Sequence, residues 1–171
     1  GNGARCIARL AHELKVAPAR MQFETGAGVV GAEILGDQVR LTMTTPKDWR
    51  LGRRLTAAGR ELAYDFVNSG VPHAVVRVDD LAELEVQTLG AAVRYHSDFA
   101  PKGTNANFIS VAGPDTVRLR TYERGVEAET PACGTGIVAA GLIAGRTGLV
   151  RPPVKVIPAS GDTLTVDFQL T

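Results

Sequence analysis

The residues of this chain most able to do chemistry gather around Cys133. It is preceded by Tyr122-Glu123-Arg124-Gly125 and Glu129-Thr130-Pro131-Ala132, and followed by Gly134-Thr135-Gly136. An apolar stretch from Gly136 to Gly145 predicts a helix over Gly134 to Arg146, so the cysteine stands just ahead of a helix start. Unpaired N–H groups and the macrodipole favour negative charge there. A free thiol titrates near ~8.5, and helix-start positions bring that down by about one to several units. The glycines on either side of Thr135 let a ligand approach the backbone, so the same N–H groups suit a carboxylate. A buried structural cysteine at a helix start stays open as an alternative. Cys6, inside another expected helix, reads as a structural thiol packed against the core.

Such a cysteine needs elements to hold it. From Gly3 to Lys15, apolar side chains at Ile7, Leu10, Ala11 and Leu14 predict a helix that packs this stripe inward, with Asn2 as its N-cap. Met21 to Glu24, Val29 to Leu35 and Val39 to Thr44 read as antiparallel strands, broken by Gly26, Gly28, Gly31 and Gly36-Asp37. Between Pro46 and Arg60 apolar periodicity lapses and charges cluster. This is the best place for a domain junction, and the division expected is 1–56 and 57–171. Beyond it come strands at Ala63 to Val67 and Ala74 to Val78, then a helix at Asp79 to Leu89 capped by Asp79 or Asp80. Strands at Asn107 to Val111 and Val117 to Tyr122 precede the Cys133 helix, and extended segments at Val154 to Ile157 and Thr163 to Phe168 follow it.

The pattern repeats. Gly1-Asn2-Gly3 corresponds to Gly134-Thr135-Gly136, 133 residues further on, and each opens a helix. At the same offset Met21 to Glu24 fall on Val154 to Ile157, and Gly28 falls on Gly161. Identity is thin, so the shared order of helix, strand, glycine turn and strand carries the reading of a duplicated α/β half. The residue ahead of Gly1 would then be the counterpart of Cys133. The start at Gly1, without Met and inside a helix-opening motif, leads us to expect sequence upstream.

Composition is that of an ordinary soluble globular domain: 171 residues, 44% hydrophobic and 22% charged, with 19 Lys plus Arg against 18 Asp plus Glu. No basic stripe offers itself to nucleic acid. The longest apolar run is about half of a membrane span. Two cysteines make no disulfide framework and point to a reducing compartment, the cytoplasm by default.

Glu123-Arg124-Gly125 followed by Glu129 to Gly136 resembles the second-half signature of the diaminopimelate epimerases, and Gly1-Asn2-Gly3-Ala4-Arg5-Cys6 resembles the end of their first-half signature, which begins with a cysteine. Phe66-Val67-Asn68-Ser69-Gly70-Val71-Pro72-His73-Ala74 is similar to the segment carrying their active-site histidine. Thr104-Asn105-Ala106-Asn107-Phe108 is similar to the one carrying a substrate-binding asparagine. The four landmarks run from Gly1 to Gly136 in the family's order, and the family's chains extend both ahead of Gly1 and beyond Thr171.

The resemblance implies an α/β (α+β) fold of two similar halves, each a central helix wrapped by mostly antiparallel curved strands, with the active site in the cleft between them. It implies an isomerase of lysine and cell-wall precursor biosynthesis that interconverts LL- and meso-diaminopimelate with no cofactor and no metal. Inversion requires acid–base groups on both faces of the carbon, in the family two thiols. Cys133 matches the second of these, and the first would precede Gly1, so the chain by itself is expected to be inactive. Asn2, Gly3, Gly134 and Thr135 would hold the α-carboxylate at two helix starts. Glu123, Arg124 and Asn105 would hold the distal ammonium and carboxylate, Arg as a bidentate fork. His73 would assist proton traffic at a thiol, since imidazole titrates near neutrality, and Glu123 matches a residue of the catalytic set. Asn68 and Asn107 have weaker claims to a role in the site, with the satisfying of turn backbone as the alternative for either. Val71 departs from the family pattern, in which Asn precedes the Pro-His pair, and puts one hydrogen bond to the distal end in doubt. The partner implied is the small-molecule substrate, with no nucleic acid or membrane, and a homodimer is the assembly left open.

Three other readings stay open. One is a related cofactor-independent racemase of the proline racemase type. A second is a hydrolase with Cys133 as nucleophile and His73 as base, for which no third orienting residue is evident. The third is a non-catalytic amino-acid-binding or structural fragment.

Overall fold

The computed structural model describes residues 1–26 and 28–169. They form two compact units, Gly1–Pro46 and Lys47–Thr171. The division falls after Pro46, and the polar stretch beyond it forms the first strand of the second unit, Lys47–Ala57.

The first unit consists of α1 (Asn2–Glu13) and an antiparallel sheet of β1 (Arg20–Thr25), β2 (Gly28–Leu35) and β3 (Gln38–Thr42). The expected inward stripe of α1 faces out: Ile7, Leu10 and Leu14 are 59%, 55% and 65% exposed, and Ala8 is the helix's buried residue. The reason is register. The helix lies on β2 and β3, and the side it turns to them is the Ala4, Ala8 and Ala11 side, whose small residues let helix and sheet approach. Cys6 is exposed, which corrects its reading as a core thiol. Gly1 is the N-cap; Asn2 already lies in the first turn, where its side-chain oxygen accepts from Arg5 over 2.7 Å.

In the second unit the elements run β4 (Lys47–Ala57), β5 (Arg60–Asn68), β6 (Pro72–Arg77), α2 (Val86–Arg94), β7 (Asn105–Gly113), β8 (Thr116–Glu123), β9 (Ala128–Thr130), α3 (Gly134–Arg146), β10 (Val154–Ile157) and β11 (Leu164–Val166). The sheet order is β11-β10-β8-β7-β6-β5-β4, with β9 paired to β8; the β6–β7 and β8–β10 neighbours are parallel and the rest antiparallel. Alternation along the strands sorts side chains to two faces. Phe66, Val76 and Phe108 pack with Leu89 and Val93 of α2, whereas Val67, Val75, Ile109 and Leu119 pack with Ile137, Ala140 and Ile143 of α3. With both faces covered, the strands read as unbroken apolar runs. α3 buries nine of its thirteen residues, which its Gly- and Ala-rich sequence permits.

The end of the second unit, from α3 to β11, repeats α1 to β2 of the first. Lys15, Val16 and Ala17 donate their N–H groups to the carbonyls of His12, Ala11 and Ala11; Gly148, Leu149 and Val150 donate theirs to Gly145, Ala144 and Ala144, the same bonds 133 positions on. Both helices thus end in a Schellman-type turn. Each is followed by an antiparallel pair, β1–β2 and β10–β11, entered past a glycine of positive φ: Gly28 at 115° and Gly161 at 84°.

The helix expected at Asp79 to Leu89 begins instead at Val86. Asp80 does cap backbone, accepting from the N–H groups of Ala82 and Glu83 over 3.0 and 3.2 Å. Arg120, however, donates to the carbonyls of Leu81, Ala82 and Leu84 at 2.9, 3.3 and 3.0 Å. Those carbonyls would be the acceptors of a first helical turn, so a distant strand residue keeps the segment irregular.

Candidate active site

Cys133 is the N-cap of α3, in extended backbone with φ −108° and ψ 111°, and its carbonyl receives the Ile137 N–H over 2.9 Å. It is 6% exposed. The path to it explains the spacing from Glu123. β8 ends at Glu123, the chain turns through Gly125 and Glu127, both of positive φ, and β9 returns with Ala128 opposite Glu123 and Thr130 opposite Thr121. The Glu127 carboxylate closes the turn by accepting the Gly125 N–H at 3.0 Å and Arg94 Nη2 at 2.9 Å. Thr130 donates its hydroxyl to Glu123 Oε2 over 2.9 Å.

Beneath the start of α3, the sheet face that is apolar further along becomes polar. His73 precedes Val75 on that face of β6, Asn105 and Asn107 precede Ile109 on β7, and Thr121 and Glu123 follow Leu119 on β8. These side chains interlock. His73 Nε2 lies 2.9 Å from Thr135 Oγ1, and Thr135 Oγ1 lies 3.7 Å from Cys133 Sγ. His73 Nδ1 lies 3.0 Å from Asn107 Nδ2, and Asn107 Oδ1 accepts from Thr121 over 3.0 Å. Ser69 ties the same helix start to the β5–β6 loop, donating to the Thr135 carbonyl at 2.8 Å. Gly136 is needed here: a Cβ on it would stand 2.7 Å from Asn107 Oδ1 and 3.3 Å from Cys133 Sγ.

Two electrostatic expectations are reversed. Burial, reinforced by the Glu123 charge, pushes the Cys133 thiol up; the Thr135 hydroxyl and the Gly136 N–H pull it down and do not prevail. The helix start alone would have lowered it, but a thiolate loses more from desolvation here than it gains. His73 is completely buried with no carboxylate against it, and burial, aided by the Arg124 charge, lowers it to about 3. It is a neutral imidazole near pH 7 and does not titrate there, contrary to the expectation from free histidine.

Of the residues expected in a site, Cys133, His73, Gly134, Thr135, Glu123 and Asn105 come together at this end of the second unit. Asn105 is buried, its Nδ2 donating to the Pro72 carbonyl at 2.8 Å and its Oδ1 accepting the Arg124 N–H at 2.8 Å. The Arg124 guanidinium reaches the Lys102 carbonyl at 3.3 Å. Asn2 and Gly3 lie in the first turn of α1, in the other unit. Asn68 does serve turn backbone, accepting the Gly70 N–H over 3.1 Å. Asn107 does not: it is a strand residue bonded to the imidazole. Thr121 and Ser69 were not anticipated. Asn105 and Asn107, polar at alternate places ahead of Ile109, were the available signal of a polar sheet face, and Leu119, Thr121 and Glu123 alternate in the same way on β8. Among the described residues, no cluster of three or more His, Cys, Asp or Glu could hold a metal ion.

A family model described as diaminopimelate epimerase matches residues 66–168. A diaminopimelate epimerase of Aquifex aeolicus (strain VF5) is 46% identical over 171 residues, spanning 98% of this chain and 61% of that protein. One of Chlorobaculum tepidum is 42% identical, spanning 98% of this chain and 65% of that protein. The chain thus covers less than two thirds of the length of these relatives. Among solved structures, a probable proline racemase from Agrobacterium radiobacter K84 superposes with a TM-score of 0.74 at 18% identity, over 99% of this chain and 59% of that one. A hydroxyproline epimerase from Agrobacterium vitis gives 0.66 at 22%, over 97% and 58%. At such identities the likeness is one of fold.

Proposed function

Because the chain belongs to the diaminopimelate epimerase family, we propose that it forms part of an enzyme that interconverts LL- and meso-diaminopimelate by proton transfer between two thiols, with no cofactor. The observation that carries this is the placement of Cys133 at the opening of α3, with Thr135 Oγ1 3.7 Å from its sulfur and the Gly136 N–H donating to that sulfur.

The chemistry follows from that placement. Removing the α-proton of an amino acid leaves a carbanion whose charge spreads into the carboxylate. N–H groups at a helix start, those of Gly134 and Thr135, meet that charge in a site with little water, where each such donor is worth ~10²–10³ in rate. Cys133, held up in the thiol form, acts as the acid: its S–H bond breaks as a C–H bond forms on one face, while a thiolate on the other face takes the departing proton. In the reverse direction the roles exchange. By the internal repeat, the second thiol corresponds to the position before Gly1, and Asn2 and Gly3 would serve the carboxylate as Gly134 and Thr135 do. By the same reading, the 171 residues alone exchange the α-proton without inverting the centre.

Glu123 and Arg124 would hold the distal ammonium and carboxylate. Asn105 keeps one amide N–H beyond its bond to Pro72 and would supply the contact that Val71 cannot. No helix among the described residues is long and apolar enough to cross a membrane. We place the enzyme in the cytoplasm, as its two free cysteines suggest, and a homodimer is the assembly to test by sedimentation.

The experiment is turnover by a protein of the relatives' length in D2O, with LL-diaminopimelate and L-proline offered together. We expect meso-diaminopimelate carrying deuterium at the inverted centre, and unchanged proline. Turnover of proline alone would move the protein to the proline racemase type.

A further inference from the structure

The Thr135 hydroxyl has one proton to give and two neighbours to receive it, His73 Nε2 at 2.9 Å and Cys133 Sγ at 3.7 Å. Which one receives it depends on which imidazole nitrogen carries hydrogen, and that is decided on the far side of the ring. Asn107 Nδ2 lies 2.9 Å from the Ala74 carbonyl oxygen and 3.0 Å from His73 Nδ1. A carbonyl oxygen only accepts, so the amide nitrogen must face it; turning the amide over would set two oxygens against each other. At its other end, Asn107 Oδ1 accepts the Thr121 hydroxyl. With the amide so fixed, its second N–H points at Nδ1, which at 3.0 Å is nearer than the Asn105 carbonyl at 3.5 Å, so Nδ1 accepts. The hydrogen of the neutral ring is then on Nε2 and is donated to Thr135 Oγ1, leaving that hydroxyl to donate to sulfur.

We propose that Asn107 and Thr121 are positioning residues: by holding His73 as the Nε2–H tautomer, they make Thr135 a permanent donor to the Cys133 sulfur. His73 then moves no proton itself. Its buried, neutral state serves the arrangement, since a ring that could change tautomer would release the hydroxyl from the sulfur. Within the second unit, the Glu123 charge opposes the thiolate and the Arg124 charge opposes protonation of the ring. Gly136 belongs to the same device, because the absence of a Cβ lets the Asn107 amide pass beside the helix start. The inference rests on the reading of Cys133 as an acid–base group, yet its test uses no turnover and so fails or succeeds separately from that reading.

The test has two parts. Long-range ¹⁵N–¹H correlation of the labelled protein, with the His73 resonances assigned through His73→Gln, reads the tautomer directly. We expect Nε2–H from about pH 5 to pH 9, and Nδ1–H in Asn107→Asp, whose carboxylate would accept from Nδ1. In parallel, iodoacetamide alkylation of Cys133 is followed by peptide mass spectrometry. Thr135→Val should slow it about tenfold or more, as expected for a lost hydrogen bond to a charged group, while Thr135→Ser stays near the parent rate. An Nδ1–H signal in the parent protein, or an unchanged alkylation rate in Thr135→Val, would overturn the proposal. Both can be read even if Asn107→Asp does not fold.

Discussion

His73 and Thr135 meet across 2.9 Å at the opening of α3, and the histidine brings no charge to the contact. A ring this deeply enclosed makes folding sensitive to acid. Unfolded, the imidazole binds a proton below about pH 6.5; folded, it stays neutral down to about 3. The unfolded state therefore holds more protons between those values, so stability is unaffected above about 6.5 and declines as pH falls below it, by ~1.4 kcal/mol per pH unit. Denaturant unfolding between about pH 6.5 and 5, above the range where carboxylates protonate, should show this slope, and His73→Gln should flatten it. A level profile in the parent protein would contradict the burial argument.

The two cysteines should react in the opposite order to that suggested by helix-start chemistry. Cys6 is exposed on α1, while Cys133 is buried and held up as a thiol. Limited iodoacetamide at neutral pH should label Cys6 first, by about tenfold or more given the dependence on thiolate and access. Peptide mapping checks it, and earlier labelling of Cys133 would show that its thiolate is more accessible than the structure allows.

Lys15 and Gly148 end their helices alike, with φ of 57° and 74°, but one of them carries a Cβ in the left-handed region. Lys15→Gly should stabilise by about 1 kcal/mol, and Gly148→Ala, where a Cβ meets nothing within 4 Å, should destabilise by a similar amount through strain alone. Equal effects of the same sign would count against the shared turn.

Gly136→Ala should cost about 1–3 kcal/mol by overpacking against Asn107 and Cys133, although Ala is the better helix former. Calorimetry of the variant measures it. A neutral or stabilising result would mean that the amide has room to move, and with it the ring.

What the sequence made legible depended on where the deciding contact lay. The bounds of α3 and β10 were read closely because the glycines, the cysteine and the apolar run that set them are local. The start of α2 was misplaced because Arg120, on a strand that follows, takes the carbonyls that a helix from Asp79 would need. The outward stripe of α1 was misread since periodicity shows that a face is apolar, not which face the neighbouring strands meet. At the site, Cys133, His73 and Thr135 were each in view from motif chemistry. Asn107 was in view only as a weaker candidate or a turn residue, and Thr121 not at all, because their shared role arises from the pairing of β7 with β8, which sets Asn107 opposite Thr121.

The central claim is that the Cys133 sulfur trades a proton with the α-carbon of diaminopimelate, and the most direct measurement is exchange of that proton in D2O, followed by ¹H NMR on LL- and meso-diaminopimelate separately. With this chain we predict loss of the α-proton signal from one of the two isomers and none from the other, and no exchange in Cys133→Ala. Exchange that persists in Cys133→Ala would contradict the assignment of this sulfur.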